Sequence, residues 1–345
     1  MNIYIISGAN GFLGNNIIRK LQCKDNIEIR AIVVPNHNIE SLDGLKCKIY
    51  YASVENYDSL NETFKINEND NVVVIHCAAK VYIGNKYRQD VFDVNVNGTK
   101  NMLEHSLRCN AKFVYISSSS VFVRKNKYEK INENSLIDIR KTKSLYEKTK
   151  ILGEQLVNKY KEKGLKTLIV YPSSIFGSND YKDTYVERMI IELSKGHLNY
   201  SIKGSYDFVD VNDVAKAIIK LADNNKFDSK YIISNKEVKV TDLLNICCKK
   251  INRKEIHFSC PSFMAKIVAP IYKALTPNKE LANLFNNESI KVLHYGANLD
   301  NEKLIKEIGF KPTDLEKSLD NTIHFLKTRN KIWYYINSLG GASDC

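Results

Sequence analysis

No uncharged run in this chain reaches the ~18–20 residues needed to span a bilayer. None of its cysteines forms a CxxC pair. They stand at positions 23, 47, 77, 109, 247, 248, 260 and 345, and the adjacent Cys247 and Cys248 suit neither a zinc site nor a disulfide framework. Reduced thiols in a cytoplasmic protein are therefore expected, with no metal. The opening residues, MNIYIISG, lack the basic start and cleavage site of a signal peptide. No compact Lys/Arg block with interleaved aromatics is present, so nucleic acid is not an expected partner. The net charge is nevertheless +12, from Lys+Arg 51 against Asp+Glu 39. Those charges lie scattered among Asn, Ile and Glu, as on a solvated lysine-rich surface. There is no internal repeat and no low-complexity linker. With 43% hydrophobic residues over 345, the chain can bury a large core, as one large domain or two coupled ones.

Short apolar runs alternate with helical periodicity through the first half. Strands are expected at 3–7, 27–34, 46–54, 71–79, 111–120 and 165–177. Helices are expected after the first strand, near 59–64, over 90–109 and from Tyr146 to about Tyr160. Continuous apolar strands alternating with helices imply a parallel sheet covered on both faces. After Gly177 the pattern loosens: a helix near 184–195, the run 207–222, a strand at 230–234, then mostly helix from 235 to 327. Two segments, 240–251 and 314–327, are amphipathic. Residues 1–177, with 207–234 returning to them, read as one α/β domain, the one that holds the glycine turn described next. Residues 178–206 and 235–327 read as a substrate lobe, and 328–345 as a tail.

GANGFLG, residues 8–14, follows the first strand and opens a helix. Gly8, Gly11 and Gly14 allow a tight turn, a close backbone approach to a pyrophosphate, and close packing of helix on strand. The helix N-terminus adds free N–H groups and a partial positive charge. The second strand ends in VVPNHN, where Val34 occupies the position that an acid would hold for NAD or an arginine for NADP. The sequence does not choose between the two.

SLYEKTK, residues 144–150, sets Tyr146 and Lys150 four apart, on one helix face. A phenol holds its proton to about pH 10, and a neighbouring ammonium together with an oxidised nicotinamide is expected to pull that value toward neutrality. Such a tyrosine can give a proton to a carbonyl oxygen as hydride arrives, or take one from an alcohol. The serine run Ser117–Ser120, at a strand's C-terminal end, is placed to hold the same oxygen.

GANGFLG, HCAAKV (76–81), DVNVNGTKN (93–101), VYISSSSVF (114–122), YEKTK (146–150) and YPSSIFG (171–177), in this order, resemble the extended short-chain dehydrogenase/reductases, the NAD-dependent epimerase/dehydratase superfamily. DFVDVNDVAKAI (207–218) and NLDNEKLIKEIGFKP (298–312) agree, and the general look is similar to the dihydroflavonol-reductase-like branch. The resemblance covers about residues 1 to 325. It implies an α/β fold, a Rossmann doubly wound parallel sheet with a smaller, mostly helical C-terminal lobe, and a homodimer through the helices near 90–108 and 144–160. Ser118 matches the hydroxyl that polarises the substrate oxygen, Tyr146 the acid/base, and Lys150 the residue that lowers its pKa and holds the nicotinamide ribose. The cofactor contacts implied are Gly8, Asn10, Gly11, Phe12, Leu13 and Gly14 at the turn. Ser53 and Val54 fall toward the adenine, and Ala78 and Ala79 line the cofactor. Asn95 braces the active-site helix, and Pro172 and Ser173 form the turn against the nicotinamide amide. Ser53 stands where relatives often carry an acid, Val34 where this branch often carries an arginine, and Tyr171 where an arginine often precedes Pro172. Tyr206 stands where nucleotide-sugar members usually carry an arginine that grips the diphosphate.

The segment 262–285 is apolar, helical in pattern and interrupted by Pro270 and Pro277, which suits a lobe closing over a bulky or hydrophobic small molecule. Three readings stay open. The first is an NAD(P)-dependent oxidoreductase acting on a carbonyl/alcohol pair. The second is a nucleotide-sugar epimerase or dehydratase, which returns its hydride. The third is a non-catalytic dinucleotide sensor, for which a broken Ser118–Tyr146–Lys150 set would be the sign.

Overall fold

A computed structural model of the chain describes residues 1–82, 84–126, 128–261, 264 and 297–332. The first half runs β1 (Asn2–Ser7), α1 (Phe12–Leu21), β2 (Ile27–Val33), β3 (Lys48–Tyr51), β4 (Asn71–His76), α2 (Gln89–Phe92), α3 (Gly98–Arg108), β5 (Lys112–Ile116), α4 (Leu145–Glu162) and β6 (Thr167–Pro172). The second runs β7 (Ser174–Phe176), α5 (Tyr185–Ser194), β8 (Ser201–Ile202), β9 (Ser205–Asp210), α6 (Val211–Asp223), β10 (Ser229–Ile233), β11 (Glu237–Lys239), α7 (Val240–Lys250) and β12 (Ser259–Cys260). Two helices close it, α8 (Glu302–Ile308) and α9 (Leu315–Thr328).

Seven strands pair in the order β10-β6-β5-β4-β1-β2-β3, all parallel. Both faces are covered, which is why these strands read as near-continuous Val/Ile runs. Tyr4, Ile6, Val73, Ile75, Val114 and Ile116 pack against α1 and α6. Ile3, Ile5, Val72, Val74, Phe113 and Tyr115 pack against α3 and α4. Full burial of one such side chain contributes about 1.5–3 kcal/mol, against about 0–1 for an exposed ion pair, so these rows hold the sheet. The fold is the doubly wound α/β sheet expected.

The strand order reverses at β1. β2 and β3 lie on one side of it, and β4 returns to the other. A crevice opens where the order reverses, beyond the strands' C-terminal ends, and the glycine turn and residues 77–81 both enter it. A separate apolar cluster joins Phe176, Val186, Ile190, Phe208, Val240 and Leu244 with Leu319 and Ile323 of α9. A three-stranded sheet, β11-β9-β7, connects this cluster to the large one.

Several elements differ from expectation. The helix near 59–64 is a single tight turn, Asp58–Leu60. The fifth strand stops at Ile116, because the Ser118 side chain caps a short turn, Ser119–Val121. The sixth breaks after Pro172, and β7 leaves the main sheet to pair with β9. The helix over 90–109 is interrupted by a π-turn, Asp93–Asn97. The apolar segment 262–285, save Met264, and residues 333–345 lie outside the described residues.

Candidate active site

The glycine turn is built by local sterics. Gly8 takes φ +64, and a Cβ there would lie 2.8 Å from the Ala78 backbone. The Gly11 N–H donates to the Gly8 carbonyl at 2.9 Å, and a Cβ on Gly14 would collide with that same oxygen. Gly11 caps α1 without any side-chain bond, so no side chain spends the helix's first N–H groups. Asn10 donates from Nδ2 to the Asn38 carbonyl at 2.8 Å, tying the turn to the loop after β2. Val34, at that strand's end, is exposed.

The serine run divides its work. Ser117 is buried and lines the cavity described below, and its Oγ has no hydrogen-bond partner among the described residues. Ser118 Oγ accepts from the Ser120 N–H at 3.3 Å and lies 3.0 Å from Ser120 Oγ. It also stands near enough to the Tyr146 phenol to hold that group's pKa down. Burial raises the pKa of the Tyr206 phenol, with Arg124 and Ser119 opposing.

Ser144 caps α4, accepting from the Glu147 N–H, so Tyr146 stands in the first turn and Lys150 one turn on. Lys150 Nζ donates to the Ile116 carbonyl at 2.7 Å and lies 5.2 Å from the Tyr115 ring centroid and 5.9 Å from that of Tyr146. Burial pushes this ammonium down to about 8, with the Cys77 thiol opposing. The Tyr146 phenol is pushed up to about 12, first by its low-polarity surroundings and then by Tyr206, with the Ser118 hydroxyl opposing. The protein's own groups raise the phenol's pKa, because desolvation outweighs an ammonium engaged with a backbone carbonyl.

Ser118, Tyr146 and Lys150 line one cavity of ≈ 490 Å³ together with Phe12, Leu13, Ala79, Pro172 and Ser173. Val186, Met189, Leu198, Ile202, Phe208 and Leu244 make an apolar wall beyond them. Among the described residues, Lys150 is the only cation and Glu147 the only acid in the lining. Other residues singled out in the sequence stand elsewhere. Gly8, Asn10, Gly11 and Gly14 form the turn itself. Ser53 Oγ bonds Glu55, and Val54 is buried with its side chain against Gly98. Ala78 donates its N–H to Ser7 Oγ at 3.2 Å. Asn95, on the π-turn, accepts the Lys80 N–H at 2.8 Å and donates to Thr149 Oγ1 at 2.9 Å, so it ties the 77–81 segment to α4.

Sequence reasoning missed Cys77, Tyr200 and the apolar wall, it named Ser117 only within the serine run, and it treated Tyr206 only as a departure. Cys77 and Ser117 lie inside the quoted motifs, so their positions were available. The wall comes from elements far apart in sequence and carries no local signal.

A family model described as the NAD dependent epimerase/dehydratase family matches residues 4–235. "Sterol demethylase protein B" of Methylococcus capsulatus is 25% identical over 332 residues, covering 95% of this chain and 99% of that protein. A "Putative UDP-glucose 4-epimerase" of Methanocaldococcus jannaschii is 30% identical over 253 residues, 70% of this chain and 80% of that one. Among solved structures, UDP-glucuronic acid 4-epimerase from Bacillus cereus, in complex with UDP-glucuronic acid and NAD, superposes with TM-score 0.73 at 18% identity, covering 95% of this chain and 100% of that one. At that identity the likeness is one of fold.

Proposed function

We propose, from the premise that this chain belongs to the NAD dependent epimerase/dehydratase family, that it is an oxidoreductase moving hydride between a nicotinamide and the carbonyl or alcohol of a bulky, largely apolar substrate. One observation carries the reading: the Ser118 and Tyr146 hydroxyls stand together in the wall of an apolar cavity, with an ammonium one helical turn away. A dinucleotide fits the chemistry of the crevice. The α1 N-terminus has no side-chain cap, and the orphaned Ser117 hydroxyl lines the cavity. Gly8, Asn10, Gly11, Phe12, Leu13 and Gly14 would hold its pyrophosphate. Ser53 and Val54 would serve the adenine end, and Ala78, Ala79, Asn95, Pro172 and Ser173 the nicotinamide end. Bound there, the nicotinamide supplies or accepts the hydride.

The chain's own groups handle the proton. Ser118 holds the reacting oxygen by a hydrogen bond, and Tyr146 gives it a proton during reduction or takes one during oxidation. A phenol held at about 12 is protonated at neutral pH, the form that reduction needs, and is a weaker acid than an ordinary tyrosine. Positive charge beside it, from the Lys150 ammonium and from a bound cationic ring, would bring it down. Residues 178–206 and 235–327 would form the substrate lobe over residues 1–177 and 207–234. The full-length likeness to a protein named for sterol demethylation supports an apolar substrate.

The competing reading, epimerisation or dehydration of a nucleotide sugar, rests on the archaeal relative's name. An anionic diphosphate would meet a single cation among the described lining residues, Lys150, which stands at the catalytic end. Purified protein given NADH or NADPH with bulky ketones, and separately with UDP-sugars, distinguishes the two. Net loss of reduced cofactor on the ketones supports the oxidoreductase. Sugar conversion without added cofactor supports the epimerase.

A further inference from the structure

Ser7 and His76 close two rows of side chains that are otherwise apolar, Ile3–Ile5 on β1 and Val72–Val74 on β4, on the face that packs against α3 and α4. Both are buried, and so is Thr99 at the start of α3. Polar groups kept in such a row must satisfy one another, and these do. Ser7 Oγ lies 2.7 Å from His76 Nδ1, and His76 Nε2 lies 3.0 Å from Thr99 Oγ1. Thr99 Oγ1 donates to the Asn95 carbonyl at 2.7 Å. Asn95 Nδ2 donates to Thr149 Oγ1 at 2.9 Å, which donates to the Tyr146 carbonyl at 2.8 Å.

The protons can be assigned by counting. Thr99 spends its one hydroxyl proton on Asn95, so Nε2 of His76 must carry a proton to donate to Thr99. Nδ1 is then the acceptor, and Ser7 donates to it while accepting the Ala78 N–H. Every donor and acceptor in the run is used once in this tautomer. A doubly protonated ring would leave the Ser7 proton with no partner in the run. Burial, and then the nearby Lys150, hold the imidazole's pKa down to about 3, so it stays neutral.

We infer that His76 is a positioning residue that fixes the strand end leading into the glycine turn relative to the helix carrying Tyr146 and Lys150. The inference rests on the dinucleotide reading above. A dinucleotide reaching from the turn to Lys150 binds well only if its two ends meet both halves of the site together, and small misplacements of such halves are costly. A ligand touching the turn alone does not sense that spacing.

NAD and ADP, titrated calorimetrically against wild type, His76→Phe, His76→Gln and Thr99→Val, test it. NAD spans both halves, whereas ADP occupies only the turn half. His76→Phe keeps the ring's bulk and loses both bonds, and NAD affinity is expected to fall about tenfold or more while ADP affinity stays within about twofold. Glutamine's Nε2 takes the place of the imidazole Nε2 as donor to Thr99 but leaves the Ser7 hydroxyl without its acceptor, so His76→Gln is expected to bind NAD more tightly than His76→Phe and less tightly than wild type, with ADP affinity within about twofold. Thr99→Val should lower the NAD affinity selectively, and it carries the test if His76→Phe does not fold. An unchanged NAD affinity in the folded Phe and Val variants overturns the proposal, leaving His76 as core packing. So does equal loss of NAD and ADP, or a Gln variant as weak as Phe. Wild-type protein that binds ADP and NAD equally well removes the spanning contact on which the proposal stands. Protein that binds neither removes the dinucleotide reading itself.

Discussion

Lys150 is a buried ammonium, and its cost to the fold has a definite pH signature. Its pKa falls from 10.5 to about 8 because burial disfavours the charge. Between those values the unfolded chain holds a proton that the folded one has lost, so stability rises as pH climbs through that window. The penalty is fully present below pH 8. Lys150→Met is therefore expected to stabilise the dinucleotide-free protein at pH 7 by about 1–3 kcal/mol, net of the lost Ile116 hydrogen bond. The gain should shrink toward pH 10.5. Thermal melts across pH 7 to 10.5 measure it, and a variant no more stable than wild type at pH 7 contradicts it. The i, i+4 spacing was enough to place Tyr146 and Lys150 on one face, because helical period fixes direction. It could not give their electrostatics. Those depend on burial and on Tyr206, which comes from a strand far along the chain.

The glycine turn shows how an element's geometry can demand one residue type. Gly14 lies against the Gly8 carbonyl, so Gly14→Ala must push α1 away from β1. A loss of about 1–3 kcal/mol is expected, together with weakened nucleotide binding. Denaturant melts and an ADP titration check both, and an alanine variant with wild-type stability and affinity contradicts the packing argument. The element boundaries were less legible than the elements. Ser118 turns its side chain back to cap a turn, which ends β5 at Ile116 inside a run that still reads as strand. YPSSIFG reads as one strand, yet Ser173 separates two strands of different sheets. Only β9, some thirty residues later, supplies the partner that draws β7 away. The π-turn at Asn95 has no period of its own, and its extra residue lies within a helix otherwise well predicted.

At the scale of the whole molecule, alternation of apolar runs with helices was sufficient for the parallel sheet and its two covered faces. The apolar wall of the cavity was not legible, since Val186, Leu198, Phe208 and Leu244 come from α5, the loop after it, β9 and α7, which only the fold brings together. A homodimer through the outer faces of α3 and α4 is proposed from the resemblance. Sedimentation at micromolar concentration is expected to give a dimer, and a monomer there contradicts it. Among the described residues no helix is long and apolar enough to cross a membrane. The proposed reaction turns on one phenol donating a proton inside an apolar cavity. Its most direct test is net NADH oxidation by purified protein on a bulky apolar ketone, wild type against Tyr146→Phe. The predicted result is steady cofactor consumption by wild type and a loss of at least about 10²-fold in the variant, with NAD affinity retained. A phenylalanine variant that consumes cofactor at the wild-type rate contradicts the account.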